Sequence, residues 1–362
     1  MKIVYIVPKI TNCGPVNVVL NLVQELSLDT NISISIVSIR SNEDDKYISK
    51  FMQAGVKEYF CLEDVSILKR VSSLNKFISN ADIIHSHGFF PDLYSIFITN
   101  NRIRRITTAH CIFLKDYQLE YGFIKGSIYS LLHHSTYWTS RFHKIVGCSY
   151  SVEKYLKKTS YIGRHNITSI HNGVSTSVFK PLQEPEKTIK RIEFFEDNMI
   201  FNIPDNILIF SGRLIRRKKA PEMIKWFLES TFNQNSILII LGNGEELDQC
   251  ASLSKNHKNI ILKGFVENVI PYYQISDFLV SFSDFEGFPM SVLEAISCGC
   301  KAILSDIPPH REVSEIFPEN ATIIDSYNKL FSESLTIKKN LCYLSSKRMA
   351  NEYINLYKST LL

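Results

Sequence analysis

The sequence predicts an α/β protein of two doubly wound, Rossmann-like parallel-sheet halves, on three observations. Short apolar runs alternate with segments of helical spacing from Lys2 to about Val178, the pattern of a parallel sheet covered on both faces. The alternation fails over 179–204, a stretch rich in Lys, Glu and Pro, and restarts at Asn206. At 362 residues the chain exceeds one typical core, so two domains are expected, 1–178 and 205–340, with 179–204 as a linker region. Two such halves imply a ligand cleft between them. The last segment, 341–362, has apolar and aromatic residues at helical spacing and reads as a helix packing back across the halves.

In chain order, Lys2–Val7 is the first strand, stopped at Pro8 and too short for a signal peptide. A turn through Asn12, Cys13 and Gly14 leads to a helix over Val16–Leu26, an arrangement that brings backbone close to a phosphate or sugar. The turn is not GxGxxG, which argues against a nicotinamide dehydrogenase. Further strands are expected at Ile32–Val37, Ile83–His85, Arg105–His110, Lys144–Ser149 and Ile167–His171. His85, His87 and His110 stand at strand carboxyl ends, where an open parallel sheet keeps its ligands. Each also fits a hydrogen-bonded, partly buried histidine.

The second half gives strands at Asn206–Gly212, Ser236–Leu241, Asn259–Gly264 and Asp277–Ser281, with helices from Pro221 and Glu245. Arg213 follows the first of these strands directly and Lys218 comes five residues later. Two cations at a strand end suit a diphosphate without a metal; the alternative is a solvated basic loop. After the last strand come Glu286, Gly287, Phe288, Pro289 and Met290, and Glu294 follows inside a helix opening near Pro289 and ending at Gly299. The free amides of such a helix start suit an anion or sugar hydroxyls, although the same pattern fits an ordinary buried helix with two solvated glutamates.

Composition narrows the classes. With 45% apolar and 21% charged residues the chain is of the folded, soluble kind, and no apolar run reaches the ~20 residues that span a bilayer. Eight scattered cysteines without a CxxC pair read as free thiols of a reducing cytoplasm, with no zinc site and no disulfide framework. The net charge of +5 is mild, but Arg102–Arg164 holds eleven Lys/Arg against three Asp/Glu, interleaved with aromatics. That segment suits an anionic membrane surface or a phosphate-bearing substrate, or is a solvated basic face; no nucleic-acid-binding module accompanies it.

The ordered set Ser211-Gly-Arg-Leu-x-x-x-Lys218, Gly242-x-Gly244, Gly264-Phe265, Glu286-x7-Glu294 with its internal Gly-Phe-Pro, and Asn172-Gly-Val with Phe179-x-Pro181 resembles glycosyltransferase family 4, retaining enzymes of GT-B architecture. The resemblance runs along nearly the whole chain. It implies that Arg213 and Lys218 bind the donor diphosphate and that Glu294 holds the ribose hydroxyls. Glu286, with the amides of Gly287, Phe288 and Met290, would hold the donor sugar at its reacting carbon. Gly14 matches the glycine loop beneath the diphosphate, His110 the active-site histidine, and Gly242, Gly264 and Phe265 the nucleotide-binding loops. The chain departs from the family pattern at Cys13 and Pro15 around Gly14, at Lys219 where a glycine is usual, and at Ser175 where an aspartate is common.

What the resemblance implies is transfer of a sugar from a nucleotide-diphosphate donor, with uridine donors common, to a glycan or lipid-linked acceptor, with no cofactor or metal required. The expected setting is bacterial-type polysaccharide assembly in the cytoplasm, at the inner face of the cell membrane. Glu286 is the one nearby carboxylate that could serve as a nucleophile in a double displacement. Two rivals remain, a nucleotide-sugar epimerase of the same fold and a non-catalytic nucleotide-sugar sensor. Residues do not decide the sugar, base or acceptor.

Overall fold

A computed structural model of the chain describes residues 1–41, 45–159, 166–200, 203–324 and 341–362. Residues 160–164 of the basic segment, 201–202 of the expected linker and 325–340 lie outside the described residues. The chain forms two compact units, Met1–Gly173 with Ser345–Leu362, and Val174–Leu344.

The first unit opens with β1 (Lys2–Val7), α1 (Gly14–Leu26), β2 (Ser33–Ser38), α2 (Lys46–Gln53), β3 (Val56–Cys61) and α3 (Arg70–Phe77). It continues with β4 (Ile83–His87), α4 (Phe89–Ile96), β5 (Arg104–Ala109), α5 (Phe113–Tyr121), α6 (Phe123–Trp138), β6 (Lys144–Gly147), α7 (Tyr150–Thr159) and β7 (Ile167–Ser169). The seven strands pair in the order β3-β2-β1-β4-β5-β6-β7, and every pairing is parallel. Helices cover both faces of such a sheet, so its central strands can be apolar throughout. β1 shows this, with Ile3 to Val7 all fully buried.

The second unit runs α8 (Glu186–Asp197), β8 (Asn206–Ser211), α9 (Ala220–Glu229), β9 (Ser236–Leu241), α10 (Leu247–Ser254), β10 (Ile260–Gly264) and α11 (Ile270–Ile275). It ends with β11 (Phe278–Ser281), α12 (Met290–Ser297), β12 (Lys301–Ser305), α13 (Pro308–Ile316), β13 (Ala321–Ile324) and α14 (Leu341–Leu344). Its six strands, again all parallel, lie in the order β10-β9-β8-β11-β12-β13. A core of Leu208, Phe210, Met223, Trp226, Phe227 and Ile240, among others, fills the space between β8, β9 and α9. In both sheets the order reverses beside the first strand, at β1/β4 and at β8/β11, and a reversal of this kind leaves a crevice at the strands' carboxyl ends.

Residues 179–200 pack inside the second unit. The Arg191 side chain donates to Ile275 O at 2.8 Å and pairs with Asp277 at 2.5 Å. Ser297 Oγ donates to Phe179 O, and Gln274 Nε2 to Lys180 O. The C-terminal segment is two helices: Ser345 breaks it with an extended backbone, and its hydroxyl accepts the Arg348 N–H to cap α15 (Ser346–Leu361). α15 belongs to the first unit, where Ser346 Oγ donates to Glu25 and Met349, Tyr353 and Tyr357 are buried.

Candidate active site

The second unit collects most of the predicted site residues at its switch point. The loop after β8 carries Gly212 to Lys218, and the loop after β11 carries Ser283 to Pro289. Lys218 Nζ lies 2.5 Å from Glu286 Oε1. Arg217 Nη1 approaches Glu286 Oε2 at 3.5 Å, donates to Phe285 O at 3.2 Å and stands over the Phe285 ring. Ser283 Oγ donates to Glu286 Oε1 at 2.7 Å. Burial alone would raise the Glu286 carboxyl, but the charges of Lys218 and Arg217 and the hydrogen bonds from Lys218 and Ser283 outweigh it and hold the pKa at about 2. Lys218 is pulled both ways: burial and the neighbouring Arg217 and Arg213 lower its ammonium, and Glu286 raises it. The Glu286 direction is the firmer, because three donors converge on that carboxylate. Arg213 is exposed.

Two loops reinforce each other's shape here. The Asp284 N–H donates to Arg217 O, and Lys219 pairs with Asp284 at 2.5 Å. Lys219 adopts a left-handed backbone, φ +51 and ψ 42, so the position where the family pattern places a glycine has the conformation that glycine favours. A third layer lies behind: Ser305 Oγ donates to Ser283 O at 2.7 Å, and His310 Nδ1 lies 3.0 Å from Ser305 O. With Nδ1–H donating there, Nε2 is the acceptor nitrogen of a neutral ring, and burial lowers the His310 pKa to about 4.

Glu294 stands in the first turns of α12, where Pro289 caps the helix with an extended backbone and Gly299 ends it at φ +96. Its contact is Tyr273 Oη, 3.5 Å from Oε2, and burial raises its pKa to about 8 despite that bond. The two glutamates thus have opposite electrostatics. Gly287 and Phe288 are buried between them, and Met290 is half-buried.

The loops after β8, β9 and β10 are joined through backbone. The Gly242 N–H donates to Gly264 O at 2.7 Å and the Leu214 N–H to Asn243 O at 2.9 Å. Gly242 (φ +143) lies so close that a Cβ there would stand 1.8 Å from Gly212 O, so only glycine fits. Gly264 (φ +68) has open space around it, and Phe265 beside it is exposed.

Gly14 and His110 belong to the first unit. Gly14 opens α1 after the extended Cys13, with Pro15 in the first turn. Tyr47 Oη donates to Asn17 Oδ1 at 2.7 Å and lies 3.0 Å from Asn12 Oδ1, and Asn17 Nδ2 donates to Asn12 Oδ1. His110 follows β5, and its Nε2 lies 2.8 Å from His87 Nδ1. His85 and His87 are core residues: His85 Nδ1 lies 2.7 Å from Tyr357 Oη and Nε2 lies 2.8 Å from Thr108 Oγ1. Burial lowers all three histidines, His110 to about 4 and His85 to about 3, so they are neutral near pH 7. Sequence reasoning missed Arg217, Ser283, Tyr273, Ser305 and His310 as parts of the site. Of these only Arg217, inside the basic run, carried a local signal. Among the described residues no cluster of three or more His, Cys, Asp or Glu is placed to hold a metal ion.

Residues 14–178 match the family described as Glycosyltransferase Family 4, and residues 192–341 match the family described as Glycosyl transferases group 1. The O-antigen biosynthesis glycosyltransferase WclY of Escherichia coli is 27% identical over 382 aligned positions, which cover 99% of this chain and 98% of that protein. The capsular polysaccharide biosynthesis glycosyltransferase CapH of Staphylococcus aureus is 26% identical, covering 75% of this chain and 74% of that protein. Among solved structures, Anabaena Alr3699/HepE in complex with UDP-glucose superimposes with a TM-score of 0.71 at 13% identity, covering all of this chain and 92% of that one, a likeness of fold.

Proposed function

We propose, for a chain that belongs to glycosyltransferase family 4, that it transfers a sugar from a UDP-sugar, with retention, to a hydroxyl of a glycan or lipid-linked acceptor during assembly of a bacterial-type surface polysaccharide. The observation that carries it is the Lys218–Glu286 ion pair at the β8/β11 switch point, with Arg217 and Arg213 beside it and Glu294 one helix turn further on. The names of WclY and CapH support the pathway class, and the UDP-glucose held by HepE supports the donor class.

Breaking the bond between the sugar's anomeric carbon and the diphosphate oxygen develops negative charge on that oxygen and positive charge on the ring. Lys218 and Arg213 answer the first, and preorganised cations of this kind are worth several kcal/mol in the transition state. Glu286, held ionised, accepts a hydrogen bond from a sugar hydroxyl and favours the positive ring. In same-face transfer the acceptor oxygen bonds to the anomeric carbon on the side the diphosphate leaves, and the departing phosphate oxygen takes the hydroxyl proton. Glu286 suits binding better than nucleophilic attack, because Lys218, Arg217 and Ser283 already draw on its lone pairs. Glu294 accepts from the ribose diol.

The nucleotide donor puts the reaction on the cytoplasmic side of the membrane, and a lipid-linked acceptor puts it at that surface. The test is a thermal-shift panel of UDP-, GDP- and dTDP-linked sugars, because a ligand bound by the folded state alone raises its stability. The donor that scores is then incubated with lipid-linked saccharides and the new linkage read by NMR. An inverted anomeric configuration overturns retention, and complete turnover of donor without acceptor favours the epimerase.

A further inference from the structure

Helix α6 is built with its polarity reversed. Gly126, Ser130, His133, His134 and Thr136 are buried, while Phe123 and Ile124 are 77% and 74% exposed and Leu131 and Ile128 are 58% and 52% exposed. At 100° per residue Ile124, Ile128 and Leu131 lie opposite Gly126, Ser130 and His133, while Phe123 is exposed as the residue that opens the helix. The inward polar face is anchored by hydrogen bonds. His133 Nε2 lies 2.8 Å from Asp92 Oδ2 and His133 Nδ1 lies 2.8 Å from Tyr117 Oη, and Tyr137 Oη donates to Asp92. His134 Nε2 meets Tyr155 Oη, and Gly126 lets α5 approach so closely that a Cβ would stand 2.2 Å from Tyr117 O. These bonds fix the helix's rotation, so its apolar face is turned outward by construction. Leu114, Leu119 and Tyr121 of α5 extend the same kind of exposed surface up to the turn at Gly122.

An outward apolar face of this size marks a surface that meets something other than water. Its charges say what. α6 has no Asp or Glu, Lys115 and Lys125 are exposed on the hairpin beside the exposed Glu120 and half-buried Asp116 of α5, and in sequence the 102–164 segment carries eleven basic residues against three acidic ones. Lysine is depleted in protein–protein interfaces, whereas a lysine among Phe, Tyr, Ile and Leu on a helix lying in the lipid headgroup layer reaches back to phosphate. The sixteen residues of α6 lie flat in this picture, and among the described residues no helix is long and apolar enough to cross a membrane.

We propose that the α5–α6 hairpin inserts Phe123, Ile124, Ile128 and Leu131 into the interfacial layer of an anionic bilayer. The sequence pointed to electrostatic adsorption; the structure adds apolar insertion as the main attraction. This deepens the lipid-linked-acceptor reading and rests on it for its purpose, though not for its chemistry.

The test uses the full chain and sedimentation with vesicles of phosphatidylglycerol and phosphatidylcholine. Wild type is expected to bind mixed vesicles and to keep part of that binding in high salt, where screening removes the electrostatic part. The double variant Phe123→Ser/Ile124→Ser is expected to lose at least about tenfold in partitioning, with donor binding by thermal shift unchanged. Lys115→Gln/Lys125→Gln is expected to lose the preference for phosphatidylglycerol while keeping the salt-resistant part. Equal partitioning of the serine variant and wild type overturns the proposal. So does a wild-type dimer that the serine variant converts to monomer without change in vesicle binding, which would make the face a contact with a second copy. Vesicle binding that behaves as expected, together with transfer only to free saccharides, leaves the insertion standing and removes the lipid-linked acceptor.

Discussion

Lys218 Nζ and Glu286 Oε1 are 2.5 Å apart, so the cation assigned to the diphosphate and the carboxylate assigned to the sugar form one ion pair. A diphosphate arriving at Lys218 therefore competes with Glu286, and removing either partner changes the charge the other presents. Lys218→Ala and Glu286→Gln are each expected to lower kcat/KM by roughly 10²–10³-fold, as loss of a preorganised charged partner does. Turnover assays on both variants check this, with circular dichroism to confirm that each is folded.

The same pair sets a dependence of stability on pH. The folded pKa of Glu286, about 2, lies below the ordinary carboxylate value of 4.5, so its contribution is complete above about pH 4.5 and is lost as pH falls toward 2. Melting temperatures taken from pH 6 to pH 3 are expected to fall less steeply for Glu286→Gln than for wild type. Parallel curves would show that the carboxylate is not held ionised.

Glu294 behaves in the opposite sense. Its folded pKa is raised to about 8, so its contribution is complete below about pH 4.5 and is lost as pH rises through 8. Glu294→Gln is expected to gain melting temperature relative to wild type at pH 9 and not at pH 5. Ribose hydroxyls donate best to the ionised carboxylate, so UDP binding near pH 7 should release protons. Calorimetry in two buffers of different ionisation enthalpy detects that release, and Glu294→Gln should abolish it.

Lys219 occupies a left-handed backbone position at φ +51. Lys219→Gly removes a strained conformation that costs a non-glycine residue about 1 kcal/mol, and it also removes the exposed pair with Asp284. The variant is expected to melt at or slightly above the wild-type temperature and to keep its activity. Gly242→Ala is expected to unfold the β8–β9 loop pair, because its Cβ would stand 1.8 Å from Gly212 O.

The parts of this fold that could be read from the sequence are those where one strand or helix carries its own signal. β1, β8 and β9 are apolar throughout because both faces are covered, and Pro289 and Gly299 mark the ends of α12. β3 is hard to read because Lys57 and Glu58 are exposed within it. α6 was hidden for a different reason: its apolar residues face outward, so periodicity alone assigns the wrong face to the core. In the site, Glu286, Glu294, Arg213 and Lys218 were legible as types at fixed spacing. The support from Ser283, Ser305 and His310 was not, because it arises where β11 and β12 lie side by side, and no local pattern encodes a hydrogen bond between neighbouring strands' ends.

The central claim is that Lys218 and Glu294 hold a nucleoside diphosphate, and isothermal titration of UDP into wild type, Lys218→Ala and Glu294→Gln tests it most directly. The account predicts a single site in wild type and at least about tenfold weaker binding in each folded variant, the scale of one charge-assisted contact. Equal affinity in all three proteins would contradict it.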